Sequence, residues 1–351
     1  MRIVFLAEGK LAPSSRFRVQ QFIPWFERQG VECVVHYGYG ARYNEVSGTP
    51  WAPLYKVLAR ARRLALGLKD AQSADVLFIQ RPIFPFSPLP EKLLKGLNSR
   101  IVFDVDDAVF LGPDSQDSKP RRASFDGCVA AARRYIAGNR YLAEQGGALH
   151  KTTIIPTVID TDRYTPRTTP RGNDQVVIGW IGSGSTLQYL DEVLPALRAV
   201  RDAHENTVIR IVCSHMPPHL AQEERFEFVP WSAQGEIPAL QDFDIGIMPL
   251  TPSRISLGKC GFKMIQYMAV GIPVVSSPVG ANVDIFKDSG AGYLATTHDD
   301  WVDALDALVR SPQARAASGE SAREHAVKGY SIHAVLPRYL EIFRAVAGSE
   351  V

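Results

Sequence analysis

Short runs rich in valine and isoleucine, each closed by glycine, aspartate or serine, recur along the chain with helical stretches between them. Buried parallel strands joined by helices read this way, because a strand covered on both faces loses the apolar–polar alternation of a half-exposed one. Ile3–Ala7, Val31–His36, Val76–Ile79, Ile101–Phe103, Tyr135–Ala137 and Thr153–Ile155 form a first series, with helices predicted over Arg18–Gln29 and Glu91–Leu97. The pattern pauses at Tyr164-Thr-Pro-Arg-Thr-Thr-Pro-Arg-Gly-Asn173, a polar segment of linker type. It restarts with strands at Val176–Ile181, Ile209–Cys213, Phe226–Phe228, Ile245–Met248 and Pro273–Val275, and helices at Leu187–His204, Lys263–Val270 and Asp299–Arg310. An amphipathic helix is predicted over Ser331–Ala347. The expected fold class is α/β, with two doubly wound units at residues 1–168 and 174–330, and 331–351 crossing back to the first. Ligands of such units sit at the carboxyl ends of the strands, here in a central cleft.

At roughly 150 residues per domain, 351 residues agree with two units. Lysine and arginine number 39 against 37 acidic residues, so no basic excess points to nucleic acid. Four scattered cysteines without a C-x-x-C pair argue against zinc or a disulfide framework and fit a reducing compartment. Ile3–Ala7 is too short for the apolar core of an export signal, and no run reaches the roughly 18 apolar residues of a membrane span. The expectation is a cytoplasmic protein whose contact with the inner membrane, if any, is at its surface. Lys56–Lys69 bears on that contact. Leu54, Val57, Leu58, Ala61, Leu64, Ala65 and Leu68 form an apolar stripe, and Lys56, Arg60, Arg62, Arg63 and Lys69 a basic face. That is the pattern of a membrane-surface helix, or of a helix packing its stripe on its own domain.

Gly258-Lys-Cys-Gly-Phe-Lys-Met-Ile-Gln-Tyr-Met-Ala-Val-Gly-Ile-Pro-Val-Val-Ser-Ser277 is the most specific segment. A glycine turn enters a helix that ends at Gly271 and gives way to a strand. The amides of such a turn and the helix dipole attract an anion, and Lys259 and Lys263 add charge at the same end. The plainer alternative is a glycine cap and a buried strand with solvated lysines. Ile101-Val-Phe-Asp-Val-Asp-Asp-Ala108 ends a strand in Asp104, Asp106 and Asp107, which read as turn caps or as a D-x-D cation site. Gly9 suits a loop approached by phosphate, Ser14 or Ser15 a helix cap, and Arg16 and Arg18 lie near that helix's positive end. Two arginines there call for an anion or for the aspartates as partners. His215 and His219 have helical zinc spacing, but Pro217 and Pro218 between them exclude a helix.

The Gly258–Ser277 segment resembles the donor-binding motif of family 4 glycosyltransferases, which have the GT-B architecture of two Rossmann-like domains with parallel sheets facing a central cleft. Ile178-Gly-Trp-Ile-Gly-Ser-Gly-Ser-Thr-Leu187, Phe243-Asp-Ile-Gly-Ile-Met-Pro-Leu250, Ile155-Pro-Thr-Val-Ile-Asp160 and Ser14-Ser-Arg-Phe-Arg18 fit the same family. The likeness spans nearly the whole chain and is weakest over residues 40–75 and 111–130. In this branch Gly258 and Gln266 stand where the family has paired glutamates, and Ser183, Ser185 and Thr186 where it has basic residues. The resemblance implies that Gln266 accepts hydrogen bonds from the nucleotide ribose. Gly9, Ser183, Gly184, Ser185, Lys259, Cys260, Gly261, Phe262 and Lys263 would line the donor, with Trp231 and Glu236 toward the nucleobase. Asp106 falls at a cleft-facing position and would be catalytic; Arg16, Arg18, Asp104 and Asp107 would serve the acceptor or phosphate.

These expectations amount to a retaining, metal-independent glycosyltransferase. It moves a sugar from a nucleoside diphosphate sugar, with no separate cofactor, to a glycan, lipid-linked or small-molecule acceptor. The rivals are a sugar-nucleotide epimerase on the same fold, and an inactive relative serving as a partner protein.

Overall fold

The computed structural model describes residues 1–40, 46, 48–169, 172, 174–215 and 217–348. Pro170, Arg171 and Asn173 of the expected linker lie outside the described residues, as do 349–351 of the last predicted segment.

The first series of apolar runs forms a six-stranded parallel sheet in the order β2-β1-β3-β4-β5-β6. Its strands are β1 (Arg2–Gly9), β2 (Glu32–Tyr39), β3 (Val76–Gln80), β4 (Ile101–Val105), β5 (Arg134–Ala137) and β6 (Thr152–Ile154). The central strands β3 and β4 are buried throughout. The helices are α1 (Pro13–Arg18), α2 (Ile23–Arg28), α3 (Ala52–Asp70), α4 (Leu89–Leu97), α5 (Lys119–Ala131) and α6 (Arg140–Gly146). From β1 the chain steps one way to β2, then returns past β1 to β3, β4, β5 and β6. Right-handed crossovers therefore put α1 and α2 on one face and α3 to α6 on the other. Side chains of β1 obey this split: the Phe5 ring lies 5.9 Å from Phe26 of α2, while a Cβ on Gly67 of α3 would come within 2.8 Å of Leu6.

The second series forms another six-stranded parallel sheet, in the order β12-β11-β10-β7-β8-β9. Its strands are β7 (Val176–Ile181), β8 (Thr207–Cys213), β9 (Phe226–Pro230), β10 (Ile245–Met248), β11 (Val274–Ser276) and β12 (Gly292–Leu294). Between and after them lie α7 (Leu187–Asp191), α8 (Leu194–Ala203), α9 (Glu236–Gln241), α10 (Arg254–Leu257), α11 (Phe262–Ala269), α12 (Ala281–Phe286), α13 (His298–Arg310), α14 (Pro312–Gly329) and α15 (Ile332–Ala347). Trp180, Leu197, Ile211, Trp301 and Leu305 anchor its core.

Two predicted helices are broken by proline. Arg18–Gln29 becomes α1, a 3-10 turn at Gln20–Phe22 and α2, because Pro24 has no N–H for the preceding turn. Leu187–His204 divides into α7 and α8, with Pro195 in the first turn of α8. The two compact units are Met1–Val158 with Leu257–Cys260 and the chain from Val335, and Ile159–Ser256 with Gly261–Ala334. The second unit thus begins before the expected linker. Buried Tyr164 explains this: its hydroxyl donates to Glu236, and Arg323 donates to the carbonyls of Tyr164 and Thr161 at 2.6 and 2.8 Å.

On the α2 face of the first sheet, Phe343 of α15 lies 6.2 Å from Phe5, 5.4 Å from Phe26 and 6.0 Å from Phe78. Tyr339 adds a contact to Phe22 at 5.0 Å.

Candidate active site

At the carboxyl edge of the first sheet, the ends of β1, β3 and β4 bring four charged side chains together. Arg81 is the hub. Its Nε donates to Asp106 at 2.8 Å and its Nη1 to Glu8 at 3.1 Å, and its Nη2 lies 3.7 Å from Asp107. Burial works against the Arg81 charge, but Asp106, Glu8 and Asp107 outweigh it and raise its pKa. The Arg81 backbone has φ 58°, a left-handed conformation that a residue with a side chain adopts at a cost. Sequence reasoning missed this arginine and Glu8. Their positions directly at strand ends were the available signal.

Asp106 is therefore the partner of a guanidinium at the edge where ligands of such sheets bind. Asp104 and Arg18 are a different case: they realise the expected pairing of an arginine with the aspartates and correct the expectation that they serve an acceptor or phosphate. They are 0% and 1% exposed. Arg18 grips Asp104 with two donors, Nε at 3.1 Å and Nη2, and gives Nη1 to the Ile155 carbonyl at 2.8 Å. Burial lifts the Asp104 carboxyl above its ordinary range, and Arg18 opposes that lift. Neither residue presents a charge to an acceptor or phosphate. The two outer carboxylates of the D-x-D alternative, Asp104 and Asp106, each face an arginine. Among the described residues, no group of three or more His, Cys, Asp and Glu is placed to hold a metal ion.

Gly9 and the two serines are also reassigned. The Gly9 amide donates to Ser15 Oγ at 3.1 Å, and a Cβ there would meet Tyr39 at 3.0 Å. A packed neighbour, not a phosphate, accounts for this glycine. Ser15 in turn donates to Gln80 at 2.8 Å and Ser14 to Glu8 at 3.1 Å, so neither caps α1. Arg16 lies over the Phe17 ring, 4.7 Å from its centroid.

Lys259 and Cys260 belong with the first unit, not with α11. Asn139 donates to the carbonyls of Leu257 and Lys259 at 3.0 Å each, and Cys260 Sγ to the Asp106 carbonyl at 3.2 Å. Burial pushes the Cys260 thiol pKa up, which keeps it protonated. Gly258 answers to space: a Cβ would come within 2.6 Å of the Ala108 Cβ and 2.9 Å of its amide. A glutamate has no room at this position. Gly258→Glu is expected to lose about 1–3 kcal/mol by overpacking, seen as a lower denaturation midpoint. A variant as stable as the parent would contradict this packing.

At the carboxyl edge of the second sheet, β7 runs into a 3-10 turn, Gly184–Thr186, with Ser183 and Ser185 exposed and their hydroxyls 2.9 Å apart. His215, just past β8, lies beside that turn; a Cβ on Gly184 would meet its ring at 2.8 Å. Sequence reasoning set this histidine aside with the zinc spacing. Gly261, with φ 63°, is the N-cap of α11 and packs on Ile285, so a side chain is excluded twice over. It is followed by Phe262 and Lys263, half-buried in the positive first turn of the helix. Lys263 Nζ lies 5.5 Å from the ring centroid of buried Trp180.

Glu236, expected to face a nucleobase, is 2% exposed and faces inward. Tyr164, Trp231 Nε1 at 2.9 Å and Gln266 Nε2 at 3.3 Å all donate to its carboxylate. The carboxylate holds Trp231 and Gln266 in place instead of meeting a ligand itself. Gln266 keeps its Oε1 as an acceptor.

Residues 175–311 match the family described as Glycosyl transferases group 1. A D-inositol 3-phosphate glycosyltransferase of Salinispora arenicola is 25% identical over 264 residues, a match that covers 63% of this chain and 57% of that relative's length. Among solved structures, sucrose-phosphate synthase from Thermosynechococcus elongatus superposes with a TM-score of 0.76 at 13% identity, covering 100% of both chains. Anabaena HepE in complex with UDP gives 0.71 at 15%, covering 98% of this chain and 100% of that one. The chain therefore has the GT-B fold, two Rossmann-like α/β units, and it resembles the glycosyltransferases built on that fold.

Proposed function

We propose that this chain transfers a sugar from a nucleoside diphosphate sugar to an acceptor hydroxyl, with retention at the anomeric carbon. The observation that carries the proposal is the carboxyl edge of the second sheet. There the turn with exposed Ser183 and Ser185 follows β7, the positive end of α11 with Lys263 follows β10, and Trp231, held together with Gln266 of α11 by Glu236, follows β9. Each element has a chemical task. The turn and helix end attract the diphosphate, Lys263 balances its charge as the bond to the sugar breaks, and Gln266 accepts from the ribose. The likeness to HepE, whose structure holds UDP, makes a uridine nucleotide the first ligand to test. At the edge of the first sheet, Asp106 and Glu8, both on Arg81, would receive the acceptor.

Calorimetric titration with UDP and with uridine tests the donor half. Lys263→Ala should weaken UDP binding about tenfold or more while uridine is little affected, because only the diphosphate meets the charge. Equal losses for both ligands would remove Lys263 from the diphosphate site.

The charge on the leaving diphosphate is assigned here to a lysine and a helix end, so turnover should survive chelation. Activity abolished by EDTA and restored by manganese would replace that assignment with a metal-assisted one. Release of UDP that depends on added acceptor separates transfer from epimerisation and from an inactive chain.

A further inference from the structure

Helix α3 packs the wrong way round for a soluble helix. Its buried residues are Ala52, Ala59, Arg63 and Gly67. Arg63 reaches through to the carbonyls of Leu6 and Gln80 at the strand ends, and burial lowers its pKa to about 10. Large apolar side chains in the first half of the helix instead face solvent, Leu54 and Leu58 at 53% and 60% exposure with Trp51, just before the helix, at 72%, while Leu64, Leu66 and Leu68 are half-buried. Of the stripe read over Lys56–Lys69, Leu54, Val57 and Leu58 are exposed and Leu64 and Leu68 half-buried, so its first half does not pack on its own domain.

The neighbouring helix α4 lies on the same sheet face and does the same. A Cβ on Gly67 would sit 3.5 Å from Leu94, the buried leucine of α4. Leu89, Leu93 and Leu97, one exposed stripe at helical spacing, point outward. Two adjacent helices thus each turn a row of large apolar side chains to solvent.

Charge selects the occupant. Apart from the buried Arg63, the cations on these helices are Lys56, Arg60, Arg62, Lys69, Lys92 and Lys95, none of them buried. Of the acids, Asp70 pairs with His36 at 2.6 Å and Glu91 is buried. An apolar surface with a tryptophan at one end and only cations around it matches an anionic lipid interface: the apolar side chains enter the acyl boundary while the long basic ones reach the headgroups.

We propose that α3 and α4 dock the first unit on an anionic membrane surface. The helix starts stand at the carboxyl edge of the sheet: the Gly40 amide beyond β2 donates to the Tyr55 hydroxyl, and Leu89 follows Arg81 along the chain. A docked unit would accordingly draw its acceptor from the lipid surface, a step that rests on the glycosyl-transfer reading above.

Vesicle sedimentation of the full chain tests the docking without donor or acceptor, so its failure is read separately from that of UDP binding. The chain should pellet with vesicles containing equal parts phosphatidylglycerol and phosphatidylcholine, stay in solution with phosphatidylcholine alone, and be released by high salt. Leu54→Glu/Leu58→Glu/Leu93→Glu should lower the bound fraction about tenfold or more, with UDP affinity and melting temperature unchanged. Lys56→Gln/Lys92→Gln keeps the apolar surface and should lose part of the salt-sensitive binding. Absence of pelleting, or binding that survives both sets of substitutions, overturns the proposal. So does a lipid-free dimer that the glutamate variant abolishes, which would give the surface to a second copy of the chain.

Discussion

Arg18→Ala should destabilise the first unit by about 3–5 kcal/mol, since it leaves the carboxylate of Asp104 buried without its counter-charge. Asp104 has no route to water from its place at 0% exposure in β4, and the second donor on it is the same lost guanidinium. The Ile155 carbonyl loses its donor too. A shift in the urea midpoint at unchanged slope measures the effect. Arg18→Leu/Asp104→Leu should recover much of the loss, because apolar side chains of similar size remove both charges together. A single variant as stable as the parent would mean that Asp104 is satisfied in some other way.

Asp106→Asn should lower turnover about a hundredfold, as expected when a proton acceptor or charge stabiliser is removed. The amide is nearly the same shape and keeps an oxygen for Arg81 Nε, which now donates to Asp106 at 2.8 Å. The fold should therefore hold, and UDP affinity, which the proposal assigns to the second unit, should stay within about twofold. A matched loss of affinity and rate, or no loss of either, would take Asp106 out of the reaction.

The sequence carried the two sheets well, because eleven of their mostly apolar strands between helices leave a local pattern. It carried boundaries less well. Pro24 and Pro195 each opened a new helix inside what periodicity read as one. The short strand Gly292–Leu294 and helix α14 were not foreseen; the strand is too brief and the helix too poor in large apolar residues to show a period. For the site, strand ends were legible but pairing was not. Two arginines at a helix start pointed to the three aspartates as partners, and Arg18 does find Asp104 across 86 positions, but nothing local says which aspartate it meets, that Arg81 collects three carboxylates, or that Glu236 turns inward to Tyr164. Those contacts depend on which strands become neighbours. Gly258 could be recognised as unusual in sequence, but its cause, the backbone of Ala108, could not.

The aromatic cluster that Tyr339 and Phe343 complete reverses the usual order in which a growing chain folds. Phe5, Phe22, Phe26 and Phe78 leave the ribosome early, yet the two rings that cover them come from α15. At about 5–20 residues per second, roughly ten to forty seconds separate the synthesis of β6 from that of Phe343. Through that interval one face of the first sheet lacks its lid. The second unit comes from an almost unbroken stretch, Ile159–Ser256 and Gly261–Ala334, and all of it precedes Val335. The unit translated second is thus the first that can finish, and the unit translated first waits for nearly the last turn of helix to be made.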